Sequence, residues 1–121
     1  MYVNCICLFM STNSMLKGTL QTIILKLLED NDRMYGYEIT QRVKEVSEGE
    51  IMLTEGALYP ALHKLEADGF LDTTVEVVDG RARKYYRLTA HGGKEVTSKL
   101  KEAQAFIDHL QNLLNLKPAV K

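Results

Sequence analysis

Leu16, Leu20, Ile23, Ile24, Leu27 and Leu28 sit at i, i+4, i+7, i+8, i+11 and i+12, one broad apolar face of a helix. That pattern predicts a first helix from about Lys17 to Glu29, broken by Asp30-Asn31-Asp32. A second helix follows the Met34-Tyr35-Gly36-Tyr37 turn. Its Ile39, Val43 and Val46 face inward, and Glu38, Gln41, Arg42, Lys44 and Glu45 take the wet side. Gly36 reads as permission for a tight entry. Ser47-Glu48-Gly49-Glu50 is a polar break, and Ile51-Met52-Leu53 is a candidate strand.

Thr54 is the expected N-cap of a third helix over Glu55–Asp68, with Leu58, Leu62 and Leu65 as its apolar stripe and Gly69 as its stop. Tyr59, His63 and Lys64 fall off the stripe, on faces that can meet a partner. Pro60 lies beyond the first turn, where it removes a backbone bond and crowds the Gly56 carbonyl, so an irregular start is expected. After Gly69 the period becomes two. Val75 and Val77 alternate with Thr74 and Glu76, Asp79-Gly80 is a hairpin turn, and Tyr86 and Leu88 alternate with Tyr85 and Arg87. Thr89 can cap a last helix entered loosely through His91-Gly92-Gly93. Val96, Leu100, Ala103, Ile107, Leu110 and Leu114 then form a heptad seam, widened by Phe106 and Leu113 and stopped by Pro118.

The fold class that follows is mainly α with a small β-wing: a winged helix-turn-helix plus a C-terminal dimerisation helix. Residues 15–90 would be the DNA-binding domain, 91–117 the dimer helix and 1–14 a loosely ordered extension or a start placed upstream of Met15. The rival reading of 1–14 is an apolar flap on a dimer. That stretch carries no charge, is too short to span a bilayer and lacks the marks of a secretory signal.

Composition changes the picture in two places. At 45% hydrophobic and 26% charged the chain is ordinary for a globular protein, but its net charge of −1 counts mildly against a nucleic-acid binder. The local distribution reverses this. Gly80–Lys94 holds Arg81, Arg83, Lys84, Arg87 and Lys94 with no carboxylate, which suits a hairpin laid along a minor groove or phosphate backbone. A charge run is also what a solvated face looks like, and Tyr59 also fits a core aromatic. Cys5 and Cys7 are too close for a structural disulfide and form no zinc pattern with His63, His91 or His109, so they read as reduced thiols. No nucleophile with a base, phosphate-cradling loop or metal spacing is visible, so no catalytic residue, cofactor or metal is assigned.

Several motifs fall in an order that resembles the PadR family of bacterial transcriptional regulators. They are Met34-Tyr35-Gly36-Tyr37-Glu38-Ile39, Gly56-Ala57-Leu58-Tyr59-Pro60-Ala61-Leu62, Lys64-Leu65-Glu66 with Gly69, and Gly80-Arg81-Ala82-Arg83-Lys84-Tyr85-Tyr86-Arg87-Leu88-Thr89. The similarity runs from Met15 to about Leu116, and Ala57 stands where the family typically has threonine. The resemblance implies a cytoplasmic, homodimeric repressor on a pseudo-palindromic double-stranded operator, often relieved by a small molecule. It makes Glu55–Asp68 the recognition helix, with Thr54, Glu55, Ala57, Tyr59, Pro60, His63 and Lys64 as its DNA-binding set. Thr74–Leu88 becomes the wing, contacting DNA through Arg81, Arg83, Lys84 and Arg87. Lys94–Leu116 becomes the dimer helix, with Val96, Leu100, Ala103, Phe106, Ile107, Leu110, Leu113 and Leu114 at the interface. Self-pairing would set the two recognition helices roughly 34 Å apart, one DNA turn. Tyr35 and Tyr37 are taken as structural packing. A small aromatic effector could sit in a flat pocket between the dimer halves, lined by Phe106, Tyr37 or Leu110. The alternative is a winged helix that docks a partner protein through Leu58–Lys64 and binds no DNA.

Overall fold

The computed structural model describes Leu16 and residues 18–116; the expectations for residues 1–14, including Cys5 and Cys7, lie outside that range. The elements are α1 (Leu20–Asp30), β1 (Met34–Tyr35), α2 (Gly36–Val46), α3 (Glu55–Ala67), β2 (Leu71–Val78), β3 (Arg81–Leu88) and α4 (Ala90–Leu113). Together they make a winged helix: three short helices, a small antiparallel sheet in the order β1-β3-β2, and a long C-terminal helix.

The core is centred on α1, which touches α3, β3 and α4. Being covered on three sides, it buries Leu25 as well as the expected Leu16, Leu20, Ile24 and Leu28, while Ile23 and Leu27 are partly covered. Leu58, Leu62 and Leu65 of α3, Ile39 and Val43 of α2, and Leu71 and Tyr86 of the sheet complete it.

The ends of α3 follow from local chemistry. Thr54 Oγ1 accepts from the Ala57 amide at 3.2 Å. At the other end Gly69 adopts φ +83°, and the Phe70 and Gly69 amides donate to the Leu65 and Glu66 carbonyls, a Schellman stop. The helix is continuous through Pro60, so the irregular start is absent. The carbonyl that Pro60 leaves unbonded belongs to Gly56, an exposed residue whose oxygen water can satisfy.

Four expectations are corrected. The third strand is Met34–Tyr35, paired with Tyr86 and Tyr85, not Ile51–Leu53. At the latter the Ile51 amide is taken by Ser47 Oγ, and Leu53 drops into the core just before the α3 cap. The hairpin starts at Leu71 rather than Thr74, and its outer half overhangs the helices, leaving Val75 and Val77 63% and 74% exposed. Val46 is also exposed, because no other element among the described residues covers it. Finally, α4 begins at Ala90, and its entry is tight. Thr89 Oγ1 accepts from the Gly92 amide and donates to the Gly69 carbonyl, and a Cβ on Gly92 would lie 2.2 Å from the Phe70 carbonyl oxygen.

The helical seam needs one correction of its own. Val96 is 1% exposed inside the protomer, where the first turns of α4 pack on the core, so it is not a surface for a partner. Leu100 leans partly on that core. Farther along, Phe106, Ile107, Leu113 and Leu114 are uncovered, while Ala103 and Leu110 are half-buried.

Candidate nucleic-acid interface

With its leucine stripe turned inward, α3 presents Glu55, Tyr59, Pro60, His63 and Lys64 outward, with Thr54 exposed at its cap and Ala57 half-buried. Lys64 Nζ lies 3.0 Å from the Asp68 carboxylate, one turn along the same helix. Thr54, Ala57 and Pro60 border a shallow depression against α1, away from the wing.

Tyr59 occupies a place that neither sequence reading described. It is 36% exposed, and its hydroxyl lies against the backbone of Gly36, where an added Cβ would come within 2.3 Å of the phenol oxygen. Gly36 has no left-handed φ. It is glycine to admit Tyr59, so its role is space rather than the backbone freedom expected from the sequence.

Strand alternation sorts the basic residues of β3. Arg81, Arg83 and Arg87 share one face with Tyr85, and Lys84 shares the other with Ala82 and Tyr86. Lys84 reaches toward the Glu66 carboxylate at 3.8 Å, and Glu66 also accepts from Thr73 Oγ1, so α3 and the wing are tied together. Burial pushes the Tyr86 phenol pKa up, with Tyr59 and Glu66 adding to it, and the hydroxyl stays protonated.

On the arginine face, cations and rings alternate. The Arg83 guanidinium lies 4.1 Å from the Tyr35 ring centroid. Tyr35 meets Tyr85 edge-to-face at 5.5 Å and stacks on Tyr37 at 6.5 Å. Arg33 lies 3.9 Å over the Tyr85 ring and forms a bidentate pair with Glu76, which holds that carboxyl below its ordinary range. The wing's mid-strand carboxylate is thereby matched with a cation.

Tyr35 and Arg83 border a groove of about 510 Å³ between α3 and the outer half of β3, beyond its pairing with β1. Tyr59 forms one wall, and Arg81, Arg83 and Lys84 form the other. His63, Lys64 and Arg87 do not line it. Arg87 sits at the base of the hairpin opposite Asp72, in a separate groove that also holds Glu29, Asp30 and Asp32. Arg33, Tyr35, Tyr85 and Glu76 were not among the sequence-assigned site residues. The tyrosines were visible in the sequence, but Arg33 lies in a loop far from the hairpin, and no spacing marks it.

Tyr37 lines this same groove, whereas Phe106 borders a small depression with Thr19 and Thr22. Within the protomer Tyr37 and Phe106 thus border separate depressions. Among the described residues no group of His, Cys, Asp or Glu could hold a metal ion, and no helix is long and apolar enough to cross a membrane.

Known proteins bear on this geometry. A transcriptional regulator of Mycobacterium tuberculosis is 45% identical over 74 residues, 61% of this chain and 65% of the relative. An uncharacterized protein of Lysinibacillus sphaericus is 34% identical over 94 residues, 77% of this chain and 85% of that one. Among solved structures, a transcriptional regulator from Clostridium thermocellum superposes with TM-score 0.74 at 28% identity, covering 85% of this chain and 96% of its own. A PadR-like transcriptional regulator from Bacillus cereus gives TM-score 0.70 at 26% identity, covering 84% and 97%. The family model of PadR-like transcriptional regulators matches residues 24–98, and the chain belongs to that family.

Proposed function

We propose that this regulator binds double-stranded DNA as a homodimer and represses transcription by occupying a pseudo-palindromic operator. The observation that carries the reading is the groove in which Tyr59 of α3 faces Arg81, Arg83 and Lys84 of the wing. Duplex DNA is recognised by phosphate contacts that fix register and side chains that reach base edges, and these two walls supply both. His63 and Lys64, exposed on α3, add donors on the base-reading side. Thr54, Glu55, Ala57 and Pro60 form the start of the helix that enters the major groove. Arg87 sits among carboxylates and contributes least. As a DNA-binding regulator the protein works in the cytoplasm.

The second copy is assigned to α4. Phe106, Ile107, Leu113 and Leu114 expose apolar surface that a lone helix leaves wet, continuous with an apolar groove of about 410 Å³ lined by Ile23, Val43, Val46 and Ile107. Light scattering at micromolar concentration should give twice the 13.7 kDa chain mass, and Ile107→Glu with Leu114→Glu should give the monomer. Monomeric wild-type protein would overturn the dimer. A small aromatic effector is assigned to the same groove, and it should raise the melting temperature if it binds there.

The decisive experiment is selection of bound fragments from the organism's own genome, followed by gel-shift titration of the recovered duplex. Specific retention of one short sequence is expected. No retained fragment, with a protein partner captured through α3 instead, would favour the docking-module alternative.

A further inference from the structure

We propose that Arg33, Tyr35 and Tyr85 act as positioning residues that hold Arg83 ready for a phosphate of the bound duplex. This rests on the DNA-binding reading above. The contacts form a chain: Glu76 of β2 pairs with Arg33, Arg33 covers Tyr85, Tyr85 meets Tyr35, and Tyr35 carries Arg83. It joins both wing strands to β1 and to the loop after α1, so the wing is braced against the helical body at the level of Arg83.

The chemistry favours such a device. A long cationic side chain loses rotamer freedom when it clamps a phosphate, and that loss weakens binding. A guanidinium laid flat on a ring has lost much of it beforehand, yet its N–H edges stay free to donate to an oxyanion. Tyr35 supplies the ring, and Tyr85 meets that ring edge-to-face. Arg33 over Tyr85 keeps the second ring in place, and Tyr37 backs the first. Arg81, at the wing tip, has no ring beneath it among the described residues and is the internal contrast.

The test is a double-mutant cycle read by fluorescence anisotropy on a duplex recovered in the genomic selection, across a salt series. Arg83→Ala should weaken binding about tenfold and reduce the salt slope by about one per protomer. Tyr35→Leu should weaken it about threefold to fivefold, and Tyr35→Phe, which keeps the ring, should bind as wild type. Joined to Arg83→Ala, Tyr35→Leu should add nothing. Losses that add, wild-type binding by Tyr35→Leu, or a Tyr35→Phe as weak as Tyr35→Leu would overturn the proposal. Should Tyr35→Leu fail to fold, Arg33→Gln tests the same chain from an exposed position. It should weaken binding about twofold with Arg83 present and not at all with Arg83→Ala; an equal loss in both backgrounds would overturn the proposal. Wild-type protein that retains no duplex fails the DNA-binding reading itself, whereas an additive cycle in a protein that does bind fails only the positioning role.

Discussion

Changing Arg81, Arg83 and Lys84 together to alanine is expected to weaken duplex binding by roughly a thousandfold at moderate salt and to flatten its salt dependence. Each protomer would lose three cations from one wall of the groove, and a dimer six. With about four phosphates neutralised per protomer, log K should fall with log salt at a slope near −7, and the triple variant should retain a slope of about −2. The three residues are not equal. Lys84 already faces Glu66, so freeing it for DNA breaks an existing contact. Arg81 is unencumbered and Arg83 is held in place, and the arginines should dominate. The measurement is anisotropy across a salt series on the triple variant and the three single ones. Unchanged affinity for the triple variant would remove the wing from the interface. The side chains are exposed or half-buried, so the melting temperature should stay near that of the wild type.

Gly92→Ala is expected to destabilise the fold by about 2–4 kcal/mol, a drop in melting temperature of roughly 10 °C or more. A Cβ there would sit 2.2 Å from the Phe70 carbonyl oxygen and 3.0 Å from Leu88 Cδ2. The obstructing atom is backbone, so no rotamer change relieves the clash, and the first turn of α4 must lift away from the α3–β2 junction. The same oxygen accepts from the Thr89 amide at 3.0 Å, and Thr89 Oγ1 bonds the Gly69 carbonyl at 2.7 Å, so the displacement also strains the cap. Gly93→Ala is the control. Among the described residues nothing lies within 4 Å of its added Cβ, and helix propensity alone should stabilise the protein by up to about 1 kcal/mol. Thermal melts of the two variants should move in opposite directions. If both moved the same way, the close approach of α4 to Phe70 would be wrong.

Much of this molecule was legible in the chain because its elements are set by local rules. Period 3.6 around Leu58, Leu62 and Leu65 placed α3, the hydroxyls of Thr54 and Thr89 placed two caps, and Asp79-Gly80 placed the turn. In the structure both turn residues have positive φ, 52° and 78°, as a two-residue hairpin requires. Boundaries slipped by a few residues where neighbours, not propensity, decide the end. Tyr59 was the divided case. Its place off the leucine stripe was readable, but its packing against Gly36 depends on two helices meeting.

What the sequence by itself determined is therefore the four helices and the hairpin, their order and the clustering of positive charge in the hairpin, because helix period, capping and strand alternation act over a few residues; the two-residue strand Met34–Tyr35 exists only through its pairing with β3. Only the tertiary structure decided which apolar positions are covered. Val96 faces its own core while Val46, Val75 and Val77 stay wet, because burial depends on what packs above a residue rather than on its period. It also decided which of two adjacent glycines is indispensable, and it brought Arg33 to Glu76 and Tyr85 across more than 40 residues of chain. Contacts between distant segments leave no spacing to read. The grip that the wing is assigned on DNA depends on such contacts.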